Sequence, residues 1–200
     1  MPNASPSLDL FGDDALPEGF RYQPDFMNRE EEQSLLRHIV PLPFREFEFQ
    51  GFTGKRRVFS FGWRYDFNGG GLSPVVAMPE FLSGIRARAE NFAEIPPGTL
   101  YQVLITEYTP GAALGWHTDR SVFGDVVGIS LQSACTFRLR LKTGHRWLGR
   151  NLTVEPRSIY LLRGPARSVW EHSIPGVERL RYSITFRNVL EVGPPEGAQA

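Results

Sequence analysis

Residues 181–187 read Arg181-Tyr182-Ser183-Ile184-Thr185-Phe186-Arg187 and alternate strictly. In extended backbone, Tyr182, Ile184 and Phe186 leave one face, and Arg181, Ser183, Thr185 and Arg187 leave the other. This predicts a β-strand, running on to residue 189, with one apolar side. Its polar side is bracketed by two cations about 20 Å apart along the backbone, whose long side chains can lean toward each other. One reading is an edge strand with a wet, cationic face. The other is a strand closing a small barrel with its polar face turned inward. Inward guanidiniums are tolerable only against carboxylates, and bidentate recognition suits a dicarboxylic acid.

Working outward, the chain from Gly98 onward consists of short β-rich runs: 101–108, 126–131, 136–141, 158–162 and 168–173, before 181–189. Turn signals separate them, namely Thr109-Pro110-Gly111, Lys142-Thr143-Gly144 and Pro175-Gly176. Several short strands with short connections imply a sandwich or jelly roll. Before Gly98 the texture is helical. Asn28 and Glu31 form a capping-box pattern, and Leu35, Leu36, Ile39 and Val40 an apolar stripe, predicting a helix over 28–40. A second helix is predicted over 79–93, with Phe81, Leu82, Ile85, Ala89 and Phe92 toward the core and Pro96-Pro97-Gly98 ending it. Residues 1–19 and 191–200 read as tails. The chain is expected to be one structural domain, with an N-terminal part over 20–98 and a β core over 99–190.

Composition narrows the classes. The 200 residues carry 22 basic and 22 acidic side chains and a single cysteine, Cys135, which excludes an intramolecular disulfide framework and a Cys-rich zinc site. No apolar run approaches the roughly 18 residues of a membrane span, and the N-terminus is acidic where a signal peptide is basic and then apolar. A cytoplasmic, monomeric protein without a membrane partner is expected. The neutral total hides an asymmetry. Residues 1–50 hold ten acids and four bases, whereas 136–167 hold eight Lys or Arg against Glu155 alone. Such a stretch is either a solvated strand face or a surface for polyanions.

Among the four histidines, His38 falls on the polar side of the first helix and His145 in a basic turn, where neither needs a function. His117 and Asp119 are two residues apart after a strand and turn, so both can face one ion. With His172 on a later strand they make two imidazoles and one carboxylate, the set that holds non-haem Fe(II) with positions left open. A zinc hydrolase could use the same ligand types but would need a nearby general base, and it leaves the arginine strand unexplained. Thr106 and Tyr108 share one face of the strand before Pro110-Gly111 and can reach the same pocket. On the substrate side, Phe59, Phe61, Trp63, Tyr65 and Phe67 alternate with smaller or polar residues, giving one aromatic strand after Lys55-Arg56-Arg57. Phe59 and Phe61 read as core. Trp63 and Tyr65 read as a lid on which a base stacks, worth roughly 1–3 kcal/mol per base, with Arg56, Arg57 and Arg120 as cations for phosphates.

The ordered set Tyr108-Thr-Pro-Gly111, His117-Thr-Asp119, His172 and Arg181-Tyr-Ser-Ile-Thr-Phe-Arg187 resembles the AlkB family of Fe(II)- and 2-oxoglutarate-dependent dioxygenases over about residues 100–189. The resemblance implies a mainly β fold, a double-stranded β-helix (jelly roll) core with the N-terminal helices packed on one sheet and N-terminal strands forming a substrate lid. It implies His117, Asp119 and His172 as iron ligands. Arg181 would pair with the distal carboxylate of 2-oxoglutarate, Arg187 would lie by the carboxylate that chelates iron, and Tyr108 would hydrogen-bond the cosubstrate. Thr106 and Ser183 stand where the DNA-repair members usually have Asn, and both keep a hydrogen-bonding group toward the cosubstrate. The implied cofactors are Fe(II), 2-oxoglutarate and molecular oxygen. The implied reaction couples oxidative decarboxylation of 2-oxoglutarate to hydroxylation of an N-methyl group, followed by formaldehyde release. Three functions stay open: a dealkylase of bases in DNA or RNA, the same chemistry on a protein side chain or small metabolite, and a non-catalytic module binding single-stranded nucleic acid.

Overall fold

In the computed structural model, which describes residues 15–49, 52–66 and 71–190, the 181–187 alternation becomes a strand buried on both faces. The elements in chain order are β1 (Phe20–Gln23), α1 (Arg29–Ile39), β2 (Arg45–Phe49), β3 (Phe52–Phe61), β4 (Trp63–Tyr65), β5 (Leu72–Pro74) and α2 (Ser83–Ala93), the last entered through a 3-10 turn at Glu80–Leu82. Then come β6 (Gln102–Tyr108), β7 (Leu114–His117), β8 (Phe123–Leu131), β9 (Cys135–Thr143), β10 (Arg146–Val154), β11 (Ser158–Leu162), α3 (Gly164–Ser168), β12 (Glu171–Ile174) and β13 (Arg181–Val189).

The run β6 to β13 winds between two antiparallel sheets. One has the order β1-β11-β8-β13-β6-β3-β2, the other β10-β9-β12-β7, so four of these eight strands fall in each. This is the double-stranded β-helix, extended on the larger sheet by β1, β2 and β3. Strands β4 and β5 form a separate ribbon. On the outer face of the larger sheet, Tyr182, Ile184 and Phe186 join Val103, Ile105, Val127 and Ile129, covered by Leu35 and Ile39 of α1 and Ile85 and Ala89 of α2. Each fully buried Leu, Ile or Phe there contributes roughly 1.5–3 kcal/mol, enough to hold the helices as a buttress. Helix α1 starts as predicted: Glu31 N donates to Asn28 Oδ1 at 2.9 Å, and Asn28 N to the Glu31 carboxylate at 2.8 Å. A second core, which includes Phe137, Leu139, Tyr160, Leu162 and Ile174, joins the two sheets.

Several expectations need correction. The aromatic run is not one strand. Gly62 sits at φ +75°, and a Cβ there would stand 2.1 Å from the Tyr101 carbonyl oxygen, so β3 ends and β4 leaves the sheet. The run at 168–173 begins as the end of α3, with Pro165 in that helix's first turn, and the strand starts only at Glu171. Helix α2 ends through Glu94 at φ +54°, ahead of Pro96-Pro97. Of the predicted tails and aromatic strand, residues 1–14, Phe67 and 191–200 lie outside the described residues. Residues 17–19 are tied down: Phe20 N donates to Pro17 O, Arg163 N to Gly19 O and Ala166 N to Glu18 O. The basic stretch is largely engaged inside the molecule. Arg140 pairs with Glu171 at 2.6 Å, Arg157 with Glu32 at 3.2 Å and Arg163 with Asp125 at 2.6 Å, while Arg138 donates to the Ser173 hydroxyl. Four of its eight cations are thus engaged within the molecule.

Candidate active site

The metal ligands converge because of strand register. His172 on β12 and His117 on β7 are direct cross-strand partners, with ring centroids 4.2 Å apart. Asp119 follows β7 by two residues and is turned inward, where Arg187 of β13 meets it, Nε to Oδ1 at 3.2 Å. One potential ligand atom from each of His117, Asp119 and His172 lies within 4.8 Å of the other two. His117 Nδ1 donates to Gly115 O, 2.9 Å away, which leaves Nε2 toward the site. His172 Nε2 is 3.7 Å from Asp119 Oδ2.

The electrostatics favour the ligand forms. Burial pushes His172 down to about 3, with the neighbouring His117 adding to the shift, and burial also lowers His117. For Asp119 burial works against ionisation, but Arg187 and the nearby imidazoles outweigh it and hold the carboxyl below its usual range. At neutral pH the triad is thus two neutral imidazoles and a carboxylate, the protonation state a divalent ion binds. Asp119 Oδ2 and His172 Nδ1 are buried without a hydrogen-bond partner. A buried carboxylate oxygen left so, beside two imidazoles, fits a cation bound there, and the mixed N/O donor set suits Fe(II).

The arginine strand supplies the second half. Ser183, Thr185 and Arg187 line the cavity between the sheets together with Thr106 and Tyr108 of β6. Thr106 lies opposite Ser183, and Ser183 opposite Ser130 of β8, so a row of hydroxyls crosses three strands. Arg181 is fully buried. Its Nε donates to Ser130 Oγ at 3.2 Å, its guanidinium lies 5.0 Å from the Tyr108 ring centroid, and both terminal nitrogens lack partners. A buried guanidinium in that state awaits an anion, and a dicarboxylate reaching from the metal toward Arg181 satisfies it. At the other end Arg187 also donates to Gln102 Oε1 at 3.1 Å and stacks over Phe123, 5.0 Å from the ring centre.

The sequence reading missed Ser130, Gln102 and Tyr160. Tyr160 lines the same cavity, and its ring lies directly on Gly128, where a Cβ would stand 2.1 Å from the ring. A glycine inside the β8 run was the available signal, since it marks close approach of another group.

The expected substrate residues divide. Arg56 is in the cavity wall, reaching the Tyr108 hydroxyl and stacking on Phe47 at 3.7 Å. Arg57, its neighbour, points to the opposite face of the sheet and pairs with buried Glu107 at 2.7 Å, so it does not join the site. Glu107 also accepts from Tyr182 Oη at 2.9 Å. Trp63 and Tyr65 pack with Val122, Phe123 and Val189 rather than lining the cavity. Tyr65 contacts Phe123 edge-on at 6.3 Å, and Arg120 lies 5.5 Å from the Tyr65 ring centre. A chain of contacts, Tyr65 to Phe123 to Arg187 to Asp119, thus joins this cluster to the metal ligands.

A jelly roll with this triad and a buried, anion-seeking arginine defines a non-haem iron oxygenase that uses a dicarboxylate cosubstrate. The model of the 2OG-Fe(II) oxygenase superfamily matches residues 19–187, and the chain belongs to that family, as an AlkB-like dioxygenase that uses Fe(II), 2-oxoglutarate and O2. It is 30% identical over 178 residues to an Arabidopsis thaliana protein named "Alkylated DNA repair protein ALKBH8 homolog", covering 76% of this chain and 49% of that one. It is 31% identical over 103 residues to the uncharacterized protein L905 of Acanthamoeba polyphaga mimivirus, covering 45% of this chain and 49% of the relative. The chain therefore spans about half the length of these curated relatives. Among solved structures, OsALKBH1 superposes with a TM-score of 0.70 at 16% identity, covering 87% of this chain and 98% of that one. A Pseudomonas putida prolyl-4-hydroxylase gives 0.60 at 13% identity, covering 86% and 93%. Both likenesses are of fold. No helix among the described residues is long and apolar enough to cross a membrane.

Proposed function

We propose that this enzyme removes alkyl groups from ring nitrogens of nucleobases in DNA or RNA, acting in the cytoplasm on a single-stranded or flipped base. The observation that carries the reading is the aromatic and cationic cluster joined to Asp119 through Phe123 and Arg187: Tyr65 against Phe123, with Arg120, the residue after Asp119, over the Tyr65 ring. An aromatic face beside a cation suits a base and its phosphate. The name of the Arabidopsis relative supports the same substrate class.

His117, Asp119 and His172 would hold Fe(II), and Arg181, Tyr108 and the Thr106-Ser183 pair would hold 2-oxoglutarate. The bound ion with O2 and the cosubstrate supplies an oxidant that inserts one oxygen atom into an N-methyl C–H bond, while 2-oxoglutarate becomes succinate and CO2. The chain fixes the alkyl group beside the ion and keeps Asp119 ionised through Arg187. The hydroxymethyl product then loses formaldehyde as its C–N bond breaks and the nitrogen regains a proton. Formaldehyde release from methylated oligonucleotides, dependent on Fe(II) and 2-oxoglutarate and lost in His117→Ala, tests the reading. Succinate formation stimulated by peptides or metabolites, with no response to any oligonucleotide, would replace it.

A further inference from the structure

We propose that Arg56 makes the enzyme prefer bases that stay neutral on alkylation and carry an oxo group where adenine and cytosine carry an amino group, N3-alkyluracil and N1-alkylguanine, over N1-alkyladenine and N3-alkylcytosine. The inference rests on the dealkylase reading.

Arg56 is aimed at the site by a local irregularity. Strand β2 pairs Glu46 with Arg57 but Phe47 with Gly54, so Lys55 and Arg56 form a bulge. The Arg56 guanidinium then stacks on Phe47 at 3.7 Å, which fixes its plane, and faces the cavity shared with His117 and Arg187. It reaches the Tyr108 hydroxyl, an engagement that occupies only part of a fork of five N–H donors.

Charge gives the direction of the preference. Two guanidiniums, Arg56 and Arg187, line the cavity, a third, Arg181, is buried against the Tyr108 ring of its wall, and the lining holds, among the described residues, one carboxylate, Asp119. Three cations against one anion leave the protein's own contribution two charges positive, and a ferrous ion and the cosubstrate dianion cancel each other. Alkylation at N1 of adenine or N3 of cytosine leaves a cation at neutral pH. The same alkylation of guanine or uracil replaces an imino proton, leaves the base neutral and presents oxygen acceptors beside the alkyl group. A donor-only cation at the wall attracts the second pair and repels the first.

The test compares kcat/KM for formaldehyde release from four oligonucleotides of one sequence, each with a single N3-methyluracil, N1-methylguanine, N1-methyladenine or N3-methylcytosine. In the unmutated enzyme the uracil and guanine lesions are expected to be favoured by roughly tenfold or more, the discrimination of one good donor pair. In Arg56→Gln that ratio falls toward one, and in Arg56→Lys, which keeps the charge, part of it returns. A native preference for the adenine and cytosine lesions, or a ratio unchanged in Arg56→Gln, overturns the proposal. So does a raised KM for 2-oxoglutarate with that ratio intact, which assigns Arg56 to the cosubstrate. Failure of the dealkylase reading is distinct, because the unmutated enzyme then releases formaldehyde from none of the four.

Discussion

Replacing Arg181 by Met should move stability and cosubstrate affinity in opposite directions. Without 2-oxoglutarate, Arg181 is fully buried with two terminal nitrogens unpaired and only its Nε bonded, to Ser130. Leaving a buried polar group unpaired costs about 1–3 kcal/mol, more when it is charged, whereas the single bond to Ser130 returns about 1 kcal/mol. A methionine of similar reach removes both, for a net gain of about 1–2 kcal/mol in the ligand-free protein. At this chain length that is a rise of roughly 2–8 °C in Tm. With ligand the sign reverses. Breaking a buried ion pair costs about 3–5 kcal/mol, so affinity for 2-oxoglutarate should fall by about 150-fold to several thousand-fold. The assay is thermal unfolding of both proteins with anaerobic Fe(II), across a titration of 2-oxoglutarate. The unmutated protein should be stabilised stepwise, while Arg181→Met starts higher and does not respond. A variant that starts lower and keeps the full ligand response would show that Arg181 does not hold the dicarboxylate.

Asp119→Ala should abolish Fe(II) binding in a metal titration and, by leaving Arg187 half-buried without its carboxylate, destabilise the protein by about 3 kcal/mol, measured by chemical denaturation. Because His172 is held near 3 in the folded chain against an ordinary value of 6.5, the unfolded chain binds the extra proton between these values. Metal-free stability should therefore be complete above about pH 6.5 and fall as pH drops toward 3, by up to about 1.4 kcal/mol per unit, a slope that His172→Gln should flatten. Arg57→Ala should leave KM for any oligonucleotide unchanged while lowering stability by about 1 kcal/mol through the loss of its bond to Glu107. Gly62→Ala should cost roughly 2–4 kcal/mol in denaturant midpoints, since the new Cβ meets a backbone oxygen that has no room to yield.

What the sequence made legible was whatever obeyed a local period or a short spacing. The two-residue alternation of 181–187, the Asn28 capping box and the His117-Asp119 pair each state their geometry within a few residues. His172 needed the resemblance or the fold, because its pairing with His117 is a fact of register between strands 55 residues apart in the chain. Strand β10 escaped because residues 146–149 are all exposed, so no alternation marks it. Arg56 and Arg57 could not be told apart without knowing where the neighbouring bulge lies and which face β3 presents inward. The pairing within the basic stretch was hidden for a similar reason: the acids that pair with its arginines, Glu32, Asp125 and Glu171, mostly lie far away in sequence.

Strand β7 is an outermost member of the smaller sheet, four residues long and attached to β12 at only two register positions, one of them the histidine pair. An ion gripped by both imidazoles is therefore also a rivet holding that sheet's border closed. Chelation should loosen β7 first, seen as faster amide exchange at 114–117, and bare the ladder of β12 to other chains. Loss of a bound ion would then open that border as well as end the chemistry, so the metal would count among the parts that keep the barrel whole.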